Sequence, residues 1–549
     1  TPLRHSDAPL RHSGLDPESI AASSQSVPTI LLDGVTGSGK TEVYLQAIGH
    51  ALANGGSAIV LVPEISLTPQ TVARFKGRFG DKVAVIHSRM TPAERAYQWD
   101  LMRTGTASVA VGARSALFAP LNNLRLIIID EEHEQTYKQG STPRYVTRDA
   151  ARMRARLTGS VLVLGSATPS LETLAAVRAN RVRRIELPER AGAGRIPSVH
   201  VVNLAAEFQG GNKTMYSSVL ADALVETIEL HEKAVVLLNR RGFSSFLLCR
   251  DCGYVPTCDD CSVSLTYHAS PPTLRCHQCG ATYPVPVKCP QCGSMYLRKL
   301  GYGTEQAAMQ LASLLPEGTP LIRMDADTTR GRGGHNARLQ EFIKADYGVL
   351  LGTQMIAKGL DFPDVTLVGV LLADTSLNLP DFRAAERAYQ LLEQVSGRAG
   401  RGELAGRVIV QTYWPEHPSI RAAAAHDREI LYARERDTRN ELGYPPYTRL
   451  ANVLLWGKDE AAVQKHAMRL AGQLREALDG PHVDEGTPWR LMGPSPCVIS
   501  KRQGDYRWHI LIKAPAGADV PSVIEPITRA YKTKDDTRMA VDIDPYDLM

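Results

Sequence analysis

Gly34-Val35-Thr36-Gly37-Ser38-Gly39-Lys40-Thr41 follows the apolar run Ile30-Leu31-Leu32 and precedes Glu42-Val43-Tyr44-Leu45-Gln46-Ala47-Ile48. The order predicts strand, glycine-rich turn and helix, with the spacing of a phosphate-binding loop. Backbone N–H groups of such a turn converge at the positive end of a helix, so Gly34, Gly37 and Gly39 let the chain close around the phosphates of ATP. Lys40 is expected to reach the β- and γ-phosphates, and Thr41 to place its hydroxyl on Mg²⁺. A glycine-rich surface turn can carry the same letters by chance, but the strand before and the helix after are the context that a phosphate loop demands.

Downstream, short continuous apolar runs at 58–62, 83–86, 109–111, 126–129 and 161–164 alternate with helical stretches. They predict a parallel sheet covered on both faces, which binds ligands at the carboxyl ends of its strands. Asp130-Glu131-Glu132-His133 stands at such an end. Asp130 is suited to hold Mg²⁺ through water, and Glu131 to orient and deprotonate an attacking water. His133 is placed to couple this site to Gly165-Ser166-Ala167-Thr168-Pro169, which ends the next strand; acidic residues also favour plain helix starts. Val111-Gly112-Ala113-Arg114-Ser115 is either a third such element or a simple turn. Between 136 and 156, Lys138, Arg144, Arg148, Arg152, Arg154 and Arg156 face one acid, Asp149, with Tyr137 and Tyr145 interleaved. That pattern suits a single-stranded nucleic-acid backbone with stacked bases, and the later arginines equally suit a solvated helix face.

A second αβ half begins near 206 with a strand at 234–238 that leads into Asn239-Arg240-Arg241-Gly242-Phe243. It ends in Gln394-Val395-Ser396-Gly397-Arg398-Ala399-Gly400-Arg401. Arg398 and Arg401, three apart at an expected helix start, are suited to reach across a cleft and stabilise charge in phosphoryl transfer. Only one half carries a phosphate loop, so ATP is expected between two lobes, with hydrolysis releasing the clamp.

Eight of nine cysteines form four Cys-x-x-Cys pairs, Cys249/Cys252, Cys258/Cys261, Cys276/Cys279 and Cys289/Cys292. Eight thiolates suit two closed, structural Zn²⁺ sites. Spacing leaves the pairing open. We favour a nested scheme, Cys249 and Cys252 with Cys289 and Cys292, and Cys258 and Cys261 with Cys276 and Cys279, because it lets one hairpin close inside another. Seven basic residues against three acidic ones between 240 and 300 suit a nucleic-acid or protein docking knob. The last part reads strand 450–456, helix 459–478, strands 495–500 and 506–513, helix 520–532 and strand 539–543, a split βαβ sandwich.

At 549 residues, with 43% hydrophobic and 22% charged content, the chain is expected to form three or four ordinary globular domains. The net charge of +5 permits a nucleic-acid partner without arguing for one. No apolar run reaches membrane-span length, and residues 1–27 lack a signal peptide's apolar core. With the metal-type cysteine pattern, this points to the cytoplasm. Residues 1–27 repeat Leu-Arg-His-Ser and read as a disordered or foreign tail.

The phosphate loop, the acidic box, Gly165 to Pro169 and Gln394 to Arg401 together resemble superfamily 2 helicases. The cysteine block behind Asn239 to Gly242, Gly352-Thr353-Gln354-Met355-Ile356-Ala357-Lys358-Gly359, Asp381-Phe382-Arg383-Ala384-Ala385-Glu386-Arg387 and Leu442-Gly443-Tyr444-Pro445-Pro446 are similar to the bacterial replication-restart helicases of the PriA (primosomal protein N′) family. The resemblance covers nearly everything from 28 onward. It implies an α/β chain with two RecA-like lobes, at 28–205 and 206–416, a zinc-binding insertion at 249–295, and a C-terminal α+β accessory domain at 417–549. It further implies an ATP-dependent 3′→5′ DNA helicase acting on single-stranded and forked DNA with primosome proteins and single-strand-binding protein, two Zn²⁺ in the nested pairing, and no membrane. The family's N-terminal DNA-binding domains and the motif before the phosphate loop have no counterpart in 1–27. A non-enzymatic docking scaffold, or a zinc-bearing translocase acting on RNA, are the competing readings.

Overall fold

The computed structural model describes residues 27–548 other than 65, 89, 192–195, 239–245, 262, 270, 300–302, 326–333, 354–355, 357–363, 401–405, 479–488 and 534. The tail at 1–26, the Asn239-to-Phe243 string, Lys358 to Asp361 and Arg401 therefore lie outside the described residues.

Seven strands build the first sheet: β1 (Thr29–Gly34), β2 (Ser57–Leu61), β3 (Val83–Ile86), β4 (Val109–Gly112), β5 (Leu124–Asp130), β6 (Val161–Ser166) and β7 (Arg183–Leu187). They run parallel in the order β3-β4-β2-β5-β6-β1-β7. β2 and β4 are buried throughout, as a sheet covered by helices on both faces requires. One face packs on Leu31, Ile59, Ile127 and Leu162, and the other on Leu32, Ile48, Val60 and Ile128. The phosphate loop leaves β1 and the acidic box leaves β5, with β6 between them.

The second sheet begins with β8 (Ser198–Asn203) and β9 (Lys233–Leu237). From β9 the chain enters a ribbon, β10 (Leu247–Cys249), β11 (Thr266–Ala269), β12 (Pro272–Arg275), β13 (Thr282–Tyr283) and β14 (Leu297–Lys299). β10 and β14 pair antiparallel as its stem. The chain then returns to β15 (Leu321–Met324), β16 (Gly348–Gly352), β17 (Val365–Val370) and β18 (Arg407–Thr412), giving the parallel order β15-β16-β9-β17-β18-β8. β8 falls inside the span expected for the first lobe, yet it pairs with β18 as an edge strand of the second sheet. Its alternating half-buried pattern fits an edge, a signal that a search for continuous apolar runs passes over.

The C-terminal sheet contains β19 (Thr448–Gly457), β20 (Arg490–Arg502), β21 (Asp505–Pro515) and β22 (Arg538–Ile543), antiparallel in the order β20-β21-β19-β22. Helices Glu460–Leu478 and Val520–Ala530 pack on it through Val463, Leu470, Leu474 and Ile524, completing the expected β-α-β-β-α-β order.

Helix Glu429–Glu441 and its entry reach back to the first lobe. Arg428 donates to both Asp33 carboxylate oxygens, at 2.8 and 2.6 Å, and the Tyr432 hydroxyl donates to the Pro169 carbonyl at 2.8 Å. Arg439, 1% exposed, is paired with Glu386 at 2.6 Å and Glu435 at 3.3 Å, as a buried cation must be. Among the described residues no helix is long and apolar enough to cross a membrane.

Candidate nucleotide site and metal centres

Gly37 and Gly39 take φ of 83° and 84°, the left-handed region that a glycine enters without a Cβ penalty. A Cβ at Gly34 would stand 2.4 Å from Ser38 Oγ, so the turn is a cradle that a side chain would fill. Helix Lys40–Ala53 starts directly after Gly39, which aims its N-terminal N–H groups at the same space. The Lys40 ammonium donates to the Gly34 carbonyl at 2.6 Å and the Val35 carbonyl at 3.2 Å.

A cleft of about 510 Å³ opens over this loop. It brings together Thr36 to Thr41, Asp130 and Glu131 from the first lobe, and Gln394 and Arg398 from the second. A cation (Lys40, Arg398), a hydroxyl (Thr41) and two carboxylates around a glycine cradle form the donor set that a Mg²⁺-bound triphosphate requires. The lobes touch closely here: a Cβ on Gly397 would lie 2.8 Å from Thr36. Arg398 does not sit at a helix start as expected. Helix Ala384–Ser396 ends before it, so Gln394 lies in the last turn and Arg398 beyond. The apolar period of that helix belongs to its buried face, and Gly397 and Gly400 (φ 68°) stop it.

Burial and the neighbouring Glu131 push the Asp130 carboxyl up to about 6, against the opposing pull of Lys40 and the Tyr44 hydroxyl. Glu131 holds φ at 49°, a conformation costing a non-glycine residue roughly 1–3 kcal/mol and common at functional sites. The box is therefore a tight turn, not the beginning of a helix. His133 Nδ1 lies 2.8 Å from Ser166 Oγ and 3.5 Å from Glu131 Oε2, which connects the box to the end of β6. Glu132, 3% exposed, accepts from the Ser170 N–H at 2.7 Å and from Thr173 Oγ1 at 2.9 Å. The next backbone N–H, of Leu171, donates to Glu386 of the second lobe at 2.9 Å. No local signal in the sequence gives Glu132 this role.

The basic stretch after the box is not an open single-strand surface. Tyr137 is 3% exposed, with its hydroxyl 2.7 Å from the Asp130 carbonyl. Tyr145 packs edge-on against Phe118. Lys138 is paired with Asp542 at 2.7 Å, and Arg148 lies 3.6 Å from Glu132. Arg154 donates to the carbonyls of Leu117 and Ala119. Burial is the reason: Lys138, Arg148 and Arg154 are engaged by partners outside the stretch. Arg152 and Arg156 instead line a second cleft of about 480 Å³ with Arg148, Arg181 and Arg449.

The thiols gather as two sets of four, an outer cluster of Cys249, Cys252, Cys289 and Cys292 and an inner cluster of Cys258, Cys261, Cys276 and Cys279, each within 4.8 Å. Cys249 to Cys292 and Cys252 to Cys289 are 3.6 Å apart, and Cys258 to Cys279 is 3.7 Å. A tetrahedral Zn²⁺ with bonds of about 2.3 Å sets its sulfurs about 3.8 Å apart, so both all-sulfur sets fit Zn²⁺. The grouping is the nested one. Gly253, Gly280 and Gly293 each follow a second cysteine at positive φ, which turns the N–H of the glycine back to the carbonyl of the first cysteine.

Comparison with known proteins fits this architecture. Residues 18–177 match the DEAD/DEAH box helicase model, and 303–403 the helicase conserved C-terminal domain. Residues 258–284 match the PriA DNA helicase Cys-rich region, and 440–546 the primosomal protein N C-terminal domain. The replication restart protein PriA of Bacillus subtilis is 45% identical over 94% of this chain, which spans 64% of that protein. The Haemophilus influenzae protein of the same name is 38% identical, with 94% and 70% covered. That of Treponema pallidum is 39% identical, with 94% and 76% covered. With two helicase lobes, a cysteine-rich ribbon in the second and the matching C-terminal domain, this chain belongs to the replication restart protein PriA family.

Proposed function

We propose that the chain is an ATP-hydrolysing DNA helicase that moves 3′→5′ on single-stranded DNA and acts at stalled or abandoned forks in the cytoplasm, restarting replication with primosome proteins and single-strand-binding protein. The observation that carries this reading is the shared cleft, in which the phosphate loop and acidic box of one lobe meet Gln394 and Arg398 of the other. ATP bound there supplies the phosphoryl bond whose hydrolysis powers movement, and Mg²⁺ neutralises phosphate charge. Lys40 exchanges its loop carbonyls for phosphate oxygens, and Thr41 and Asp130 hold the metal. Glu131 takes the proton from the attacking water, which demands that it be fixed in place, as its tight turn favours. Arg398, with Gln394 beside it, contributes charge from the second lobe, and Arg401 is assigned the finger role. Closure of the two lobes then depends on what occupies the cleft, and the Ser170–Leu171 contact between Glu132 and Glu386 carries that change across. The two zinc sites are structural, and the division into lobes at 28–205 and 206–416 with an accessory domain at 417–549 is our working assignment, with β8 transferred to the second lobe.

The test is ATP hydrolysis by the purified chain with and without single-stranded and forked DNA, alongside Lys40→Ala. DNA stimulation that vanishes in the variant, and unwinding of a 3′-tailed but not a 5′-tailed duplex, are the expected outcomes. A flat, DNA-independent trace from folded, zinc-loaded protein sinks the enzyme reading in favour of a docking scaffold.

A further inference from the structure

Tyr44 lies in the first turns of the helix that follows the phosphate loop. It is 2% exposed, with its ring in the core beside Leu45, Ile48 and Phe75, yet it reaches the wall of the nucleotide cleft. Its hydroxyl donates to Asp130 Oδ1 at 2.9 Å. Space for that hydroxyl is reserved on the neighbouring strand: a Cβ on Gly165, which pairs with Asp130 in the β5–β6 register, would stand 1.7 Å from the phenolic oxygen. The main chain of the same aspartate is held independently, since the Tyr137 hydroxyl lies 2.7 Å from the Asp130 carbonyl and 3.0 Å from that of Leu61.

We infer that Tyr44 is a positioning residue for the metal–triphosphate site, fixing the Asp130 carboxylate through Oδ1 and leaving Oδ2 for the metal's water, with Gly165 as its steric complement. The inference rests on the nucleotide-hydrolase reading above. Phenylalanine would fill the same core volume, so packing alone does not call for the hydroxyl. What the hydroxyl adds is direction. An aspartate side chain turns about two bonds, and a carboxylate already held in one orientation loses less freedom when it takes up a metal. Groups that orient a metal-binding side chain in this way commonly govern 10–100-fold in metal affinity. The glycine opening Gly165-Ser166-Ala167 is accounted for by the same contact, because any other residue there displaces the ring.

The experiment uses the full zinc-loaded chain with Tyr44→Phe and Gly165→Ala. Free Mn²⁺ is followed by electron paramagnetic resonance during titration in the presence of ADP, and ADP affinity is measured separately in EDTA. Both variants are expected to need about 10-fold more metal for half-saturation, while metal-free ADP affinity stays within about twofold of wild type. In hydrolysis assays, raising Mg²⁺ should restore much of the rate. A Tyr44→Phe titration that overlays the wild type overturns the assignment and leaves the hydrolase reading standing. Wild-type protein that shows no metal-dependent ADP binding overturns both. Should Tyr44→Phe fail to fold, Gly165→Ala decides alone, by the same metal titration.

Discussion

The outer thiolate cluster closes the ribbon's stem against the second lobe, whereas the inner cluster is seated on the C-terminal domain. In the outer one, Gly253 lies so near the second lobe that a Cβ would stand 2.7 Å from the Tyr413 carbonyl, while Cys292 is exposed. Val287, Met295 and Tyr296 beside it face solvent. In the inner one, the two residues inside the Cys276/Cys279 pair are both 1% exposed. His277 Nδ1 lies 2.7 Å from the Pro496 carbonyl, the His277 carbonyl accepts from Ser495 Oγ at 3.2 Å, and Gln278 accepts from the Tyr444 hydroxyl. The donor sets are the same; the residues between and beside the cysteines decide what each metal fastens.

Cys276→Ala should therefore have the largest effect. It removes one zinc equivalent and loosens β20, lowering stability by several kcal/mol, since structural zinc binding is itself folding energy on the order of 10 kcal/mol. Cys292→Ala should also lose one equivalent but leave amide exchange at Ser495 and Cys497 unchanged. Equal exchange in the two variants would erase the distinction. Tyr444→Ala comes next. The Tyr444 ring stacks on Phe382 with centroids 4.5 Å apart, and Lys513 Nζ sits 3.6 Å from its centre. Its removal is expected to cost about 3–5 kcal/mol in denaturant unfolding, as for a buried aromatic. Tyr296→Ala, at a residue 50% exposed whose ring packs T-shaped with Phe208, is expected to cost about 1 kcal/mol or less.

The sequence was most legible where chemistry fixes local spacing. The phosphate loop, the acidic box and the four cysteine pairs could be named from a few neighbouring letters because backbone turns and thiolate geometry are short-range. The βαββαβ order was legible for the same reason, through periodicity. What stayed hidden is long-range. Lys138 looked like a nucleic-acid contact, but its carboxylate partner, Asp542, is set by packing between the first lobe and β22, and no window of sequence contains both. Glu132 and Arg439 were silent because their partners lie on other elements. The place of Arg398 beyond a helix end is not legible locally, because an amphipathic pattern does not announce where the helix stops. Nothing local in the sequence shows what the Tyr44 hydroxyl meets, because Asp130 and Gly165 lie on strands far along the chain.

Acid separates the clusters independently of any truncation. His509, 1% exposed, lies against the inner cluster, with Nε2–H donating to the His277 carbonyl at 2.5 Å. Burial above all, aided by Arg507 and opposed by the hydrogen bond to the His277 carbonyl, pushes it down to about 4; burial lowers His277 likewise, with His268 and Arg275 nearby. An unfolded histidine titrates near 6.5, so below that pH the unfolded chain binds a proton that the folded chain refuses. The stability conferred by a neutral His509 is thus complete above about pH 6.5 and drains as pH falls towards 4, by up to about 3 kcal/mol. Acid also protonates thiolates, but it does so at both clusters. His509→Gln isolates the histidine term: its unfolding free energy should fall less steeply between pH 7 and pH 5 than that of wild type, with zinc content matched in the two samples. If the slopes coincide, the inner cluster differs from the outer only in packing, and the acid sensitivity of the chain belongs to its thiolates.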